Sequence, residues 1–240
     1  MAKDFTFKQF HINAFQCGMP VSTDAVLLGA WANIAKSESI LDIGCGTGIL
    51  SLMCAQRNEL ARITAIEIEE NAFNAALKNS QNSPWKKRVD VQHLSIQEFV
   101  KTKQNYDSII CNPPYFYNGE ASKSEQRATA RHTSALTHLD LLYYCVQLLT
   151  EIGSASFILP TVEGKLFINL LIEMEMPLYV SRLTYVKTTI TKASTRMLIE
   201  LNRASQYALI NAVEDELVIH NGEVYSEEFI ALTKNFYLKM

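Results

Sequence analysis

The order of apolar and polar residues from about residue 40 onward is typical of a chain in which buried strands alternate with helices. Four short segments are rich in β-branched and other apolar residues: Ser39–Ile43, Arg62–Glu67, Val89–His93 and Tyr106–Cys111. Between them, helix-forming residues with apolar residues at helical spacing occupy Ile49–Arg57 and Glu70–Ser80. This alternation predicts βαβ units, which close right-handed onto a parallel sheet with helices on both faces.

The second half of the chain extends this pattern by two helices and three strands. The helices are predicted at Thr137–Thr150 and Gly164–Met174, and the strands at Ala155–Pro160, Val180–Val186 and Met197–Leu201. The last two strands should pair, and their long connection, rich in Thr and Lys, should be exposed. The expected fold class is α/β, with a doubly wound, mostly parallel sheet of seven strands.

The bulk composition fits an ordinary globular protein. Of the 240 residues, 48% are hydrophobic and 20% are charged, which allows a sizeable core and argues against disorder. We expect residues 1–38 to form a short N-terminal extension that packs on the ligand site, and residues 39–240 to form the main part of a single structural domain. The five cysteines are widely spaced and lack a Cys-x-x-Cys pair, so neither a disulfide framework nor a metal site is indicated.

Charge and hydropathy narrow the choice of partners. The formal net charge of −3 and the pI near 6.0 give no global basic footprint, so any nucleic-acid surface must be a local patch. The N-terminal residues do not resemble a signal peptide, and no segment reaches the roughly 18 uncharged apolar residues that span a bilayer. We therefore expect a cytoplasmic protein with no membrane contact.

A glycine-rich motif ends the first predicted strand and leads into the next helix: Asp42–Gly48 reads Asp-Ile-Gly-Cys-Gly-Thr-Gly. Glycines allow a tight turn and close approach of a ligand, and the helix after them presents free N–H groups. Glu67 ends the next strand, where an acid can accept hydrogen bonds from ribose hydroxyls. The alternatives are a turn that binds nothing and an NAD site, although the spacing differs from Gly-x-Gly-x-x-Gly.

This motif resembles motif I of the class I S-adenosylmethionine-dependent methyltransferases. The resemblance implies a Rossmann-like fold, S-adenosylmethionine as cofactor, and cofactor contacts from Asp42, Gly44, Gly46 and Glu67, with Glu67 on the ribose. That family often carries an acid after its third strand, which contacts the adenine of the cofactor. Here Ser95 stands in that place, and its hydroxyl or a neighbouring backbone group would substitute for the acid.

A second motif, Asn112-Pro113-Pro114-Tyr115, follows the fourth predicted strand, at the sheet edge where doubly wound folds bind ligands. The prolines fix φ and leave no N–H, so the Asn112 side-chain oxygen and the Pro113 carbonyl can be held as rigid acceptors. Two acceptors on an aromatic amine would draw its nitrogen toward tetrahedral geometry and aim its lone pair at a methyl donor. Tyr115 can stack on the base, which must be flipped out of a stacked RNA to reach it.

The second motif resembles motif IV of amino-group methyltransferases, which act on adenine, cytosine or glutamine amides. The resemblance implies catalytic roles for Asn112, Pro113 and Tyr115, a cofactor contact from Asn112, and substrate contacts from Pro114 and Tyr115. It implies no metal. A proline-stiffened turn that caps the strand is the alternative.

The N-terminal segment favours one substrate class. In Phe15–Ala32, Thr23 and Asp24 precede a Leu-Leu-Gly-Ala-Trp helix, an arrangement that resembles the bacterial YfiC-type family that methylates the 6-amino group of adenine 37 in the anticodon loop of tRNA1(Val). The resemblance extends over most of the chain and implies tRNA as partner, Asp24 near the cofactor and Thr23 as the helix cap. We expect a monomer.

Local cations could neutralise tRNA phosphates. One set lies around the last predicted hairpin, with Glu200 as the opposing acid: Arg182, Lys187, Lys192, Arg196 and Arg203. A second set follows the Asn-Pro-Pro-Tyr motif: Lys123, Arg127, Arg131 and His132. We expect substrate contacts from Arg131 and Lys192, and an ordinary solvated face is the alternative for each.

Three other functions compete with this interpretation. A protein-glutamine methyltransferase of the release-factor type shares Asn-Pro-Pro-Tyr, but it carries a helical N-terminal domain, whereas about 38 residues precede the first strand here. A DNA adenine methyltransferase usually has an added target-recognition region, and no segment here is long enough for one. The third is a catalytically idle cofactor-binding module, which the intact Asn-Pro-Pro-Tyr motif disfavours.

Overall fold

A nine-stranded sheet with helices on both faces forms the centre of the computed structural model, which describes residues 4–15, 21–113, 136–203 and 212–239. The strands are β1 Phe5–Thr6, β2 His11–Ile12, β3 Ser39–Ile43, β4 Arg62–Glu67, β5 Val89–His93, β6 Tyr106–Cys111, β7 Leu149–Pro160, β8 Leu178–Thr189, β9 Arg196–Arg203, β10 Val213–Asn221 and β11 Val224–Tyr225. The helices are α1 Thr23–Trp31, α2 Ile49–Arg57, α3 Glu70–Gln81, α4 Ile96–Phe99, α5 His138–Leu148, α6 Thr161–Glu173 and α7 Glu227–Thr233, with a 3-10 turn at Val100–Thr102.

The large sheet has the order β11-β10-β8-β9-β7-β6-β3-β4-β5, and β1 pairs with β2 separately. Strands β3 to β7 run parallel, β9 runs antiparallel to both of its neighbours, and β10 is parallel to β8. From β3 the chain moves outward to β5 and then returns to the other side of β3 with β6. Doubly wound sheets bind ligands at such a reversal, outside the carboxyl ends of the strands.

The predicted α/β fold class is confirmed, and several predicted elements match in detail. Strands β3, β4, β5 and β6 and helix α2 have the predicted ends. Strands β8 and β9 pair antiparallel, as expected, and both run beyond their predicted ends. Their connection, residues 190–195, is exposed except at Ser194.

Two predictions about the second half were wrong. Helix α5 ends at Leu148 and β7 begins at Leu149, whereas a helix was predicted up to Thr150. At Leu149 and Thr150, pairing with β6 replaces the predicted helix. The register of this pairing shifts between the pairs Tyr106–Leu149 and Ser108–Ser154. At the shift the two strands are close, because a Cβ on Gly153 would lie 3.0 Å from the Tyr106 carbonyl oxygen. In the described ranges the sheet also has nine strands rather than seven, because β10 and β11 extend it beyond β8.

Most of the core in the described residues lies in two apolar layers, one on each face of the sheet. One layer contains α1, α2 and α7 together with Phe7, Phe10 and Ile12 of the N-terminal segment. The other contains α5 and α6 with Phe99 and Phe157. Burial of apolar area on both faces is the main stabilising term for a fold of this kind. Within the described ranges, no helix is both long and apolar enough to cross a bilayer.

The start of α1 differs from the predicted cap. Ser22, in extended conformation, is the N-cap, and its hydroxyl accepts a hydrogen bond from the Ala25 N–H at 3.1 Å. Thr23 is the first helical residue, so the prediction that Thr23 caps this helix was wrong.

Candidate active site

The glycine loop leaves β3 and crosses the end of β4. The backbone N–H groups of Gly44 and Cys45 both donate to the Ile66 carbonyl oxygen, at 2.9 and 3.0 Å. Gly44 has a φ of +68°, which favours glycine, and a Cβ placed on it would meet nothing within 4 Å. Because Gly44 is also exposed, its backbone is open to a ligand at the carboxyl edge of the sheet.

Glu67 ties the end of β4 to this loop. One carboxylate oxygen accepts from the Gly46 N–H at 2.9 Å, and the other accepts from the N–H groups of Ile68 and Glu69 at 2.8 and 2.9 Å. The side chain is 8% exposed. Since an ionised carboxylate offers about four acceptor positions, these three bonds leave room for one more donor, such as a ribose hydroxyl.

Asp42 lies beneath the same loop and is fully buried. Its Oδ2 accepts a 2.6 Å hydrogen bond from the Ser51 hydroxyl of α2, whereas its Oδ1 is buried with no hydrogen-bond partner in the described part of the chain. Burial raises the pKa of Asp42 to about 7, against the opposing effect of the hydrogen bond from Ser51. The Oδ1 atom, unpartnered among the described residues, leaves one acceptor position for a donor of a bound ligand.

Asn112 directly follows β6, the strand beside β3, and is half-buried. Its side-chain oxygen is inaccessible to solvent and has no hydrogen-bond partner within residues that the structure describes. Pro113 is buried next to it. The two residues predicted to hold the target amine therefore reach the carboxyl edge of the sheet beside the glycine loop. Pro114, Tyr115 and Arg131 lie outside the described residues.

Ser95 follows β5 at the same edge and serves as the N-cap of α4. Its hydroxyl accepts from the Glu98 N–H at 3.2 Å and its backbone N–H donates to the Glu98 carboxylate at 3.3 Å, which together form a capping box. The hydroxyl also donates to that carboxylate at 2.9 Å. The Ser95 hydroxyl is thus engaged locally, and its contact with the cofactor adenine stays a prediction.

Asp24 and Lys192 lie farther along the same edge. The carboxylate of Asp24 forms an ion pair with Arg196 of β9, with an N–O distance of 2.7 Å. Lys192 is exposed on the turn between β8 and β9, where its N–H donates to the Thr189 carbonyl oxygen. The structure therefore places Asp24 against the β8–β9 hairpin.

The described part of the chain shows neither a reactive cysteine nor a cluster of metal ligands. Cys54, Cys111 and Cys145 are buried free thiols. Burial raises the pKa of Cys54 to about 12 and that of Cys111 well above its usual range, so neither forms the reactive thiolate near neutral pH. Among the described residues, no group of three His, Cys, Asp or Glu side chains could hold a metal ion.

Comparison with known proteins identifies the family. Residues 21–139 match the model of the methyltransferase small domain. The chain is 51% identical to proteins of Aliivibrio fischeri and Aliivibrio salmonicida, over 100% of this chain and of each relative, and both are named tRNA1(Val) (adenine(37)-N6)-methyltransferase. The chain belongs to this methyltransferase family. Among solved structures, a predicted O-methyltransferase from Agrobacterium tumefaciens shares the fold, with a TM-score of 0.68 and 18% identity over 89% of this chain and 96% of that one.

Membership of the family confirms the predictions of a class I methyltransferase and of S-adenosylmethionine as its cofactor. The carboxyl edge fits such a group. The Oδ1 atoms of Asp42 and Asn112 are buried without hydrogen-bond partners in the described ranges, a state that costs about 1–3 kcal/mol for each and that donors of a ligand would relieve. Gly44 is open to solvent, and Glu67 keeps one acceptor position. Which of these atoms contact the cofactor stays a prediction.

One residue of this methyltransferase that sequence reasoning missed is Asn79 of α3. It is 2% exposed, and its amide donates to the carbonyl oxygens of Asn13 and Thr47 at 3.0 and 2.9 Å. Its side-chain oxygen also accepts from the Asn13 N–H at 3.0 Å. Asn79 therefore joins the N-terminal extension to the glycine loop. The available signal was a polar residue at helical spacing from Ala72 and Ala75 on the buried face of the helix.

Proposed function

We propose that this chain transfers a methyl group from S-adenosylmethionine to the exocyclic 6-amino group of adenine 37 in the anticodon loop of tRNA1(Val). Relatives with that name are 51% identical to it over their whole length. The observation that carries the proposal is the side-chain oxygen of Asn112, which is buried at the carboxyl edge and has no hydrogen-bond partner among the described residues. An unsatisfied rigid acceptor suits an amino group, because that group donates two N–H bonds.

Asn112 and Pro113 act on the target nitrogen. The lone pair of an aromatic amine is delocalised into its ring, which makes the nitrogen a weak nucleophile. The Asn112 side-chain oxygen and the Pro113 carbonyl each accept one hydrogen bond from this amino group. These two bonds favour tetrahedral geometry at the nitrogen and localise its lone pair. S-adenosylmethionine, when bound, supplies a methyl group on a positively charged sulfur. The nitrogen gains this methyl group and loses one proton to solvent.

The remaining site residues have supporting roles. Gly44 and Gly46 present backbone to the cofactor, and Glu67 accepts a ribose hydroxyl while holding the Gly46 N–H at 2.9 Å. Asp42 offers its buried Oδ1 to a donor of the cofactor. Pro114 and Tyr115 contact the flipped adenine, and Arg131 and Lys192 contact the RNA backbone. A tRNA substrate supports the cytoplasm as the location, and a monomer is the expected state, which light scattering of the purified protein tests.

The test is transfer of labelled methyl from S-adenosylmethionine to total tRNA from a strain that lacks the gene, followed by nucleoside mass spectrometry. We expect 6-methyladenosine at position 37 of tRNA1(Val). Asn112→Ala should lower turnover about 100-fold or more, the usual cost of losing one group that stabilises the transition state. Its cofactor affinity, measured by calorimetry, should stay within a few-fold of the unaltered protein.

Asn105→Ala is the matched control, because Asn105 is an exposed asparagine at the other end of β6, where its amide donates to the Gln147 carbonyl oxygen. This variant should keep its turnover. Label that appears on a protein glutamine instead of RNA would replace the proposal with the glutamine methyltransferase. Normal turnover of Asn112→Ala would refute the role of Asn112.

A further inference from the structure

A cavity of about 300 Å³ opens between α1, the β8–β9 hairpin, β10 and α7, apart from the glycine loop. Its volume is at the lower end of the range of small-molecule sites. The proposed function does not use it, although Asp24 of α1 lies in its wall. The residues that line it come from the helix before the methyltransferase core and from the strands after it.

One wall of the cavity is a ladder of aromatic rings. The ring centroids of His220 and Tyr225 are 4.9 Å apart with planes at 27°, and those of Tyr225 and Phe229 are 4.9 Å apart with planes at 28°. Phe229 is buried, whereas Tyr225 is 45% exposed. The ladder thus runs from the buried Phe229 through Tyr225 to the partly exposed His220, and stacking surfaces of this kind suit a flat aromatic ligand.

The other walls carry polar groups. Thr23, Thr188 and Thr195 line the cavity, and each hydroxyl can both donate and accept a hydrogen bond. Arg196 also lines it, but the guanidinium is paired with Asp24 at 2.7 Å, which balances its charge. Neutral hydrogen-bonding groups beside an aromatic wall match the edge and face of a nucleobase better than they match a phosphate.

The cavity faces the same edge and the same side of the sheet as Asn112. Cys111 pairs with Phe157 of β7 and Arg196 pairs with Pro160, so two strand spacings and about two residues separate Asn112 from Arg196, or about 12 Å between their Cα atoms. The side chains of Ile110 and Leu198 belong to the α1 layer of the core. By strand alternation, Asn112 and Arg196 point to that side as well.

We propose that this cavity holds an unstacked nucleobase of the substrate RNA, a few nucleotides from the methylated adenine. The inference rests on the proposed function and adds a recognition site to it. Proteins read RNA loops by splaying out bases, stacking them on aromatic side chains and hydrogen-bonding their edges. The cavity offers these contacts about 12 Å from the reacting group, and so selects an RNA whose loop presents a second free base.

Tyr225 is the residue to change. Tyr225→Ala removes the middle ring of the ladder. It should raise the KM for an anticodon stem-loop RNA about ten-fold, the effect expected for loss of one stacked base, while the KM for S-adenosylmethionine stays within two-fold. Tyr225→Phe keeps the ring and should restore the KM. Tyr143→Ala is the matched control, because Tyr143 is 43% exposed on α5, on the other face of the sheet, and this variant should leave both KM values unchanged.

Abasic substitution of the RNA identifies the base and separates this effect from misfolding. At one loop position, removing the base should raise the KM of the unaltered enzyme about ten-fold, yet change that of Tyr225→Ala less than two-fold. Independent effects at every position, or a Tyr225→Ala variant with an unchanged KM for RNA, would overturn the inference. The proposed function fails separately, since it requires the unaltered enzyme to methylate the intact RNA.

Discussion

The glycine loop with Asn112 and the β8–β9 hairpin lie along the same edge of the sheet, yet sequence reasoning treated them with unequal success. At the loop, the predicted strand ends and the tight glycine turn occur in the structure. At the hairpin, the strands were right, but the cluster of free cations was not. The conformation of the loop depends on a short continuous segment of the chain, whereas the charge of the hairpin depends on acids from segments that are distant in the sequence.

The cations of the hairpin are mostly engaged within the protein. Arg182 pairs with Asp215 at 3.8 Å and Lys187 with Glu216 at 2.7 Å, both across the parallel pair β8–β10. Arg196 pairs with Asp24. Glu200, the one acid that was expected to oppose them, is buried and accepts a hydrogen bond from Ser181. Most of the predicted RNA-facing charge is therefore neutralised by acids from β10 and α1.

The largest effect should come from Glu67, which holds the loop region together. Glu67→Ala leaves the N–H groups of Gly46, Ile68 and Glu69 without their acceptor and removes the predicted ribose contact. Losing a charge-assisted hydrogen bond to the ribose costs about 1.5–3 kcal/mol, so the dissociation constant for S-adenosylmethionine should rise about 10- to 100-fold. Isothermal titration calorimetry measures it.

Glu69→Ala is the control for this change. Glu69 is exposed and caps α3 by accepting from the N–H groups of Asn71 and Ala72. Its loss should lower the free energy of unfolding by about 1 kcal/mol and leave cofactor affinity unchanged. Equal losses of cofactor affinity in both variants would show that the fold of this strand end, rather than the carboxylate of Glu67, determines binding.

The buried carboxyl group of Asp42 should make stability depend on pH. Burial raises its pKa from 3.8 to about 7, so the folded chain binds a proton more tightly than the unfolded chain does. This group therefore leaves stability unaffected below about pH 4, lowers it as pH rises to about 7, and has a constant effect above that. Asp42→Asn abolishes the titration and keeps an acceptor for Ser51.

The difference in free energy of unfolding between Asp42→Asn and the unaltered protein should shift by about 2–4 kcal/mol in favour of the variant between pH 4 and pH 7. Urea unfolding at several pH values, without cofactor, measures the shift. Ser51→Ala provides the control, because it keeps the titrating carboxyl group and should keep the pH dependence. A pH-independent difference for Asp42→Asn would mean that Asp42 titrates normally in the folded chain.

The parts of the fold that follow from the local pattern of apolar and polar residues could be predicted from the sequence. Strands β3 to β6 are short apolar segments bounded by helices, so their pattern determines them. Strand β10 starts with Val213-Glu214-Asp215-Glu216, which does not have the pattern of a strand, and it forms because it pairs with β8. Ser95 and Glu98 have the spacing of a capping box, a signal that the sequence also carries. From the sequence, Ser95 was predicted only as a cofactor contact.

The smallest effect should come from the hairpin cations, where the two lysines provide a matched pair. Lys192 is exposed and has no ion-pair partner within the described residues, whereas Lys187 is paired with Glu216. Lys192→Ala should weaken tRNA binding about two- to five-fold and reduce the slope of log Kd against log salt by about 1, because one phosphate contact is lost. Lys187→Ala should leave that slope unchanged, since its charge is already balanced. Filter binding at several salt concentrations measures both slopes, and equal changes in the two variants would mean that the ion pair with Glu216 opens when RNA binds.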